Sequence, residues 1–374
     1  MKTAPISWLN VIIFLVTGLI ALFAVPYYAF TQGFTALEIV ATILCLGFCG
    51  MSITAGYHRL WSHKSYSAHP IIKFILALGG AFALQNSILH WCSDHRNHHK
   101  HVDNNDRDPY SAKLGFWYSH IGWMLREYQG EEYKNYNNVK DLQKDKIVIW
   151  QHKYYLILAI VMNFGVPLVI GLYTDRVLAA LLSVGVLRLV LSHHFTFFIN
   201  SLAHIWGKQT YSSAHTARDN GFLAFLTYGE GYHNYHHSFE YDYRNGIRWW
   251  HFDPTKWFIK AAYYLGLAKN LRTAPEERIE KTKATHKMQL LREKLTAQPH
   301  NQAILEKIET EYDLLITRMS AFYKAKKLVL ELKTQQLEHD YKHSEVYAQF
   351  IELQHKFNEQ KQKFWQLHIA HHPA

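Results

Sequence analysis

Four stretches of about twenty apolar residues, 8–30, 35–57, 154–173 and 177–200, constrain this chain more than any other feature of it. A bilayer core of about 30 Å takes about 20 apolar residues in a helix, and inside it every backbone N–H and C=O must find its partner within the segment. The expected fold is therefore an all-α integral membrane protein with four transmembrane helices. The chain has 374 residues, 49% hydrophobic and 15% aromatic. Its mean hydropathy of −0.18 conceals this body, because a polar final hundred residues enters the average.

Short turns at 31–34 and 174–176 join the stretches into two hairpins. Arg176 is the single basic residue in those turns, whereas the segments after 57 and 200 are rich in Lys and Arg. The positive-inside rule then puts both termini, and everything between the hairpins, on the cytoplasmic side. The first stretch is long, and no A-x-A-like cleavage site follows it before the next apolar run. It is expected to be a retained helix rather than a signal peptide.

Formal net charge is +10, and 16 basic against 14 acidic side chains in 275–374 leave +8 on the first 274 residues. Basic residues beside spans suit anionic headgroups. No Lys/Arg stripe interleaved with stacking aromatics points to nucleic acid. Cys45, Cys49 and Cys92 are odd in number and lack metal-site spacing, so no disulfide framework is expected.

Nine histidines then stand out, in four groups: His58 with His63; His95, His98 and His99; His204, four residues after Asn200; and His233, His236 and His237. In H-x-x-H-H on a helix, positions i, i+3 and i+4 share one face. His58 and His63 lie about 140° apart on an ideal helix, so they need a helix end or a bend. Nine imidazoles exceed the four ligands of a structural zinc site. Two metals, each with four or five nitrogens, fit better, and a nitrogen-rich set favours a redox metal such as iron over magnesium or calcium. Asp94, Asp103, Asp106, Asp108 and Glu230 are available to orient the rings.

The segment 70–89 is apolar but carries Lys73, Gly79, Gly80, Gln85 and Asn86. If it crossed the bilayer alone, His58 and His95 would end on opposite faces. It is expected to be a buried or interfacial cytoplasmic helix. A cytoplasmic helical cap over 58–153 and 201–274 completes a membrane domain of residues 1–274.

After Thr273 the run Ala-Pro-Glu-Glu is a good helix start, and residues 275–374 read as a helical extension. Leu305, Ile308, Tyr312, Leu315, Met319 and Phe322 keep 3,4 spacing, as do Val346, Phe350, Leu353 and Phe357, which predicts coiled-coil-like packing. His368, His371 and His372 repeat H-x-x-H-H, but without neighbouring groups they read as an ordinary terminus.

The strings G-Y-H-R-L-W-S-H (56–63), D-H-R-N-H-H-K (94–100), N-S-L-A-H (200–204) and G-E-G-Y-H-N-Y-H-H (229–237) resemble the membrane fatty-acyl desaturases, of the stearoyl-CoA Δ9 desaturase type. Residues 115–123 and 242–257 share the likeness, which covers about 8–272. The resemblance implies a centre of two Fe2+ ions that uses O2 and two electrons to place a cis double bond in a saturated C16 or C18 chain. The nine histidines match its ligands, and Asn200 matches an asparagine that acts through a metal-bound water. Gln85, Trp91 and Thr196 match residues around the bend of an acyl tunnel, and Asn86 and Asp94 match positions near the carrier end. Leu46 and Gly50, twelve and eight residues before His58, match the tunnel's closed end, where Leu46 is expected to limit chain length.

Departures from the animal pattern bear on the carrier. Cys92 and Ser93 replace an alanine and a carrier-binding arginine, and Arg126 is followed by Glu127 and Tyr128 instead of a second basic residue. Acyl-CoA is the expected substrate, with acyl carrier protein or phospholipid as alternatives. The tail lacks the H-P-G-G signature of a fused cytochrome b5 domain, so a separate donor, a ferredoxin, cytochrome b5 or similar with its reductase, is expected. A bacterial inner membrane is expected rather than the endoplasmic reticulum. The rival readings are a membrane di-iron hydroxylase or alkane monooxygenase, and a non-catalytic metal-binding membrane protein.

Overall fold

The computed structural model describes residues 4–296, 301–334, 342 and 344–371. Among these, four helices are long and apolar enough to cross a membrane: α1 (Trp8–Thr31), α2 (Ala36–Ser62), α6 (Tyr155–Tyr173) and α7 (Val177–His204). Between the hairpins lie α3 (Pro70–Ala83), α4 (Ile88–His101) and α5 (Lys146–Lys153). After α7 come α8 (Gly221–Leu226), α9 (His233–Ser238) and α10 (Pro254–Tyr264). A two-residue antiparallel pair, β1 (Ser67–Ala68) with β2 (Ala268–Lys269), ties the two parts of the cap in the register Ser67 to Lys269.

A capping box starts α2. Thr35 Oγ1 accepts from the Glu38 N–H at 3.3 Å, and Glu38 Oε2 accepts from the Thr35 N–H at 2.7 Å. The other oxygen of buried Glu38 accepts from Arg176 Nε at 2.8 Å, and Arg176 Nη2 donates to the Gly33 carbonyl at 2.6 Å. The one basic residue in the hairpin turns is thus neutralised by a carboxylate from the other hairpin, which ties both turns together.

The segment 70–89 is not one helix. Helix α3 ends at Ala83, Leu84 turns left-handed at φ +52°, and α4 leaves at 81° after Ser87 caps it. At 14 residues α3 is about 21 Å long, short of the hydrocarbon thickness. A buried helix end needs partners for its last carbonyls. Here α6 and α7 supply them: Asn163 Nδ2 reaches Ala81 O at 3.3 Å, Arg188 Nη1 reaches Phe82 O at 2.7 Å, and His193 Nε2 lies 3.1 Å from Ala83 O. Gly79 and Gly80 let α3 lie directly on α2, since a Cβ at either would stand 2.0 Å from Ser52 Oγ or 2.1 Å from a Tyr57 ring carbon.

The chain divides into two compact units, 1–209 with 214–273, and 274–374 with 210–213. The second holds α11 (Glu276–Thr296), α12 (Gln302–Thr334) and α13 (Glu345–His371). Leu291, Leu305, Ile308, Leu315, Met319, Phe322, Phe357 and Phe364 form its buried core. The 3,4 spacing read along 305–322 and 346–357 therefore serves packing within one chain. His368 is buried and packs against Trp365, and His372 lies outside the described residues.

Candidate metal centre

The nine histidines converge as two sets: His58, His63, His95, His99 and His236, and His98, His204, His233 and His237. Within each set the facing ring nitrogens all lie within 4.8 Å of one another. The sets adjoin, with the His99 and His237 rings stacked at 4.3 Å and 10°.

Local backbone explains how each ring arrives. From Ser52 to Ser62, helix α2 is wound as a π-helix, and the His63 N–H donates to His58 O at 3.0 Å. An i→i+5 bond places residues five apart almost one above the other, so His58 and His63 turn to the same side. Arg96 fastens this end to α4, donating to Trp61 O at 2.8 Å and Ser62 O at 3.0 Å. Helix α4 sends His95 and His99 to one set and His98 to the other. Helix α9 likewise divides His236 from His233 and His237, and a single 3₁₀ turn, Leu202–His204, delivers His204.

The outer nitrogens of five of the rings are engaged by oxygen partners. Nδ1 of His58 is 2.9 Å from Glu230, that of His98 is 2.8 Å from Asp108, and that of His99 is 3.2 Å from Glu240. Nδ1 of His95 meets Tyr110 Oη at 3.1 Å, and that of His204 meets Thr216 Oγ1 at 2.8 Å. A carboxylate only accepts, so the proton of each ring facing one sits on Nδ1 and the lone pair on Nε2.

Within each of the two sets the Nε2 atoms face one another. Nε2 atoms pair at 3.0 Å in His58 and His236, 2.9 Å in His63 and His95, 3.0 Å in His99 and His236, and 3.1 Å in His204 and His233. Burial keeps His63, His95, His233, His236 and His237 well below the ordinary imidazole range, and lowers His99 to about 4. Neutral imidazoles with converging lone pairs are the donor set of a transition-metal cation. Five nitrogens at one position and four at the other fit two such ions.

Of the carboxylates anticipated around the rings, Glu230 and Asp108 touch them directly. Asp103 acts through Thr216, taking its N–H at 2.6 Å and its hydroxyl at 2.7 Å. Asp94 turns instead to His90, 3.4 Å away, and burial pushes its carboxyl up to about 7. Asp106 is exposed. Glu240, Tyr110 and Thr216 were not anticipated. Each reaches a ring through a loop, and no periodic pattern marks such residues in a sequence.

The candidate substrate residues fall in three places. Gln85 Nε2 donates to Thr196 Oγ1 at 2.8 Å, across the bend between α3 and α4. Trp91 stacks on His95 at 4.8 Å, and Asn86 reaches Tyr155 and Tyr133 at 2.8 and 3.2 Å. The Tyr133 ring packs at 4.0 Å on His90, the partner of Asp94, so Asn86 and Asp94 belong to one polar row. Gly50 and Thr196 line a narrow apolar cavity with Ile53, Thr54, Ser192 and Tyr228. Thr54 and Thr196 lie one helical turn before His58 and Asn200, so the cavity lies one turn back along α2 from the first histidine set. Leu46 is half-buried a turn farther along α2 and is not among the lining residues; Asn200 ends the regular part of α7, half-buried.

A fatty acid desaturase family model matches residues 35–270, which include the cavity and all nine histidines. The chain belongs to the fatty acid desaturase family. A probable acyl-CoA desaturase of Schizosaccharomyces pombe is 42% identical over 287 residues, 76% of this chain and 59% of that protein. Acyl-CoA desaturase 1 of Saccharomyces cerevisiae is 42% identical over 232 residues, 62% of this chain and 45% of that protein. The sn-2 palmitoyl-lipid 9-desaturase of a Nostoc species is 36% identical over 280 residues, 74% of this chain and 94% of that protein. The chain thus spans about half the length of the two yeast desaturases and nearly all of the cyanobacterial one. The unit from Ala274 onward lies beyond the stretch that the desaturase family model matches.

Proposed function

We propose that this chain is a fatty-acyl desaturase that places a cis double bond, most simply Δ9, in a saturated C16 or C18 acyl chain. One observation carries the reading: in a member of this family, nine imidazoles converge in two adjoining sets one helical turn from a narrow apolar cavity. The reaction removes one hydrogen from each of two adjacent methylenes. O2 takes up those two hydrogens with two further electrons and two protons, leaving two waters and the C=C bond.

Two Fe2+ ions, bound by the two histidine sets, would supply the one-electron chemistry that O2 activation and attack on an unactivated C–H bond require. The protein's part is positional. Glu230, Asp108 and Glu240 fix three of the imidazoles as Nε2 ligands, and Thr216 and Tyr110 support two more. Asn200 is assigned to a metal-bound water. The acyl chain offers no polar handle near the carbon to be oxidised, so only the shape of the cavity selects it. Gly50 and Thr196 line the cavity, Gln85 bonds Thr196 and is assigned with Trp91, stacked on His95, to the bend of the acyl path, and Leu46 lies one turn beyond Gly50. Asn86 and Asp94, joined through Tyr133 and His90, face the carrier.

Acyl-CoA is the proposed carrier, in keeping with the names of the yeast relatives. The name of the Nostoc relative makes a lipid-bound chain the alternative to test, with acyl carrier protein as the third. A separate redox protein, of ferredoxin or cytochrome b5 type, delivers the electrons from the cytoplasmic side, where both termini and the metal centre lie. A bacterial inner membrane is the proposed location.

The test is expression in cells starved of unsaturated fatty acids, followed by mass spectrometry of their lipids. A new cis-9 monounsaturated chain is expected. A hydroxylated chain would replace the desaturase reading with a hydroxylase, and an unchanged lipid profile with an active donor present would remove both.

A further inference from the structure

The cap presents one continuous strip of aromatic rings, all but one of them exposed. It starts at Trp206, two residues past the end of α7 and 49% exposed. Trp206 meets Phe222 at 6.0 Å. Phe222 and Phe225, three apart on α8, are each 61% exposed, while Leu223 and Ala224 between them are fully buried. Phe225 meets Phe252 at 5.0 Å, and Phe252 meets the exposed Trp257 of α10 at 5.5 Å. A soluble surface seldom carries a strip of this kind without an occupant.

The depth of the strip identifies the occupant. Thr255 Oγ1 is 2.7 Å from Thr54 Oγ1, and Tyr228 packs so closely on Gly50 that a Cβ there would stand 2.1 Å from its ring. Thr54 and Gly50 are eight and twelve residues before Ser62, the end of α2, which places them at most about 12 and 18 Å back along the helix axis, the π-wound stretch rising less per residue than an α-helix. The whole of α2 is 27 residues, at most about 40 Å, which is enough for the hydrocarbon and reaches into the headgroup layers. The corner formed by the end of α8 and the start of α10 therefore stands beside α2 below the headgroups, at the edge of the hydrocarbon. Large rings exposed at that depth face acyl chains.

We infer that α8 and the first turns of α10 form a membrane-inserted wedge, with Phe222, Phe225 and Trp257 seated in the bilayer at the boundary between headgroups and acyl chains. Aromatic residues favour that layer. Lys260, one turn after Trp257, has its Nζ 5.3 and 4.9 Å from the Tyr263 and Tyr264 rings, which sets a cation at headgroup level above the wedge. The wedge holds down the segment that carries Glu230 and His233, so the cap is anchored to lipid at a place other than its two hairpins. The inference rests on the helix packing and does not depend on which reaction the metal centre performs.

Spin labels test it on the full chain in lipid nanodiscs. F225C and, separately, F222C are labelled and compared with D106C on the exposed surface; the parent protein, whose cysteines are half-buried or buried, serves as the labelling blank. Collisions with oxygen should exceed those with a water-soluble nickel complex severalfold more at 225 and 222 than at 106. Equal ratios at all three positions would overturn the wedge and expose the strip to water. Shielding of 225 and 222 from both reagents would overturn it in favour of a protein partner.

Discussion

Thr216 Oγ1 lies 2.8 Å from Nδ1 of His204 and 2.7 Å from an oxygen of Asp103. The carboxylate can only accept, so the threonine proton points to Asp103 and its lone pair receives the Nδ1 proton of His204. The ring is left with Nε2 free on the side of His98, His233 and His237. The chain from Asp103 to His204 fixes a tautomer that the histidine alone would not choose.

The same relay gives the first expected outcome. Thr216→Val should weaken metal binding at the four-histidine position about 10–100-fold, while Thr216→Ser should keep it. Metal content after dialysis against graded chelator reads this without turnover. Equal retention in the valine and serine variants would show that the hydroxyl does not orient the ring.

His98→Ala and His236→Ala each remove one ligand, from different sets. Both should abolish turnover, because the proposed reaction uses both ions together, and both proteins should still insert, because neither substitution touches the four apolar helices. Membrane fractionation and product analysis check the two halves. Turnover surviving in either variant would detach that set from the reaction.

The Tyr228 ring packs directly on Gly50 in the cavity wall. Gly50→Ala forces that ring to move and should shorten the preferred acyl chain, lowering the C18 to C16 product ratio measured by gas chromatography. Leu46→Trp, one turn farther from the metals, should shorten it too, by pressing on the closed end from outside the lining. An unchanged ratio in Gly50→Ala would mean that the cavity between α2 and α7 does not hold the chain.

How much of this was legible in the sequence depends on the range of the forces involved. The spans were legible because about twenty apolar residues have one use in a bilayer, and the structure starts or ends them within a few residues of the sequence reading, except where α2 and α7 run on into the cap. The histidine groups were legible because i, i+3 and i+4 spacing acts within one turn. The way His58 and His63 come to share a side was not, since π-winding leaves no periodic mark. The break after α3 was not legible, and 70–89 reads as a single helix, because the break depends on Arg188 and His193, more than a hundred residues later. Glu240, Tyr110 and Thr216 stayed hidden for the same reason: each meets its ring only after folding.

The tail tests separately. Phe364 is fully buried in the core of α11 to α13. Phe364→Ala should destabilise that unit by about 3–5 kcal/mol, seen as faster proteolysis of residues 276–371 in the full chain at rising urea. Metal content should stay as in the parent, because every histidine of the two sets lies in the other unit. Loss of metal in this variant would show that the tail maintains the centre.

The central claim is that the nine imidazoles make one paired metal centre, and iron analysis of the purified full chain tests it most directly. Protein produced with ample iron and washed free of loosely bound metal should hold two irons per chain, and a strong chelator should remove both without unfolding the spans. One iron, or none, in a protein with intact helices would contradict the account.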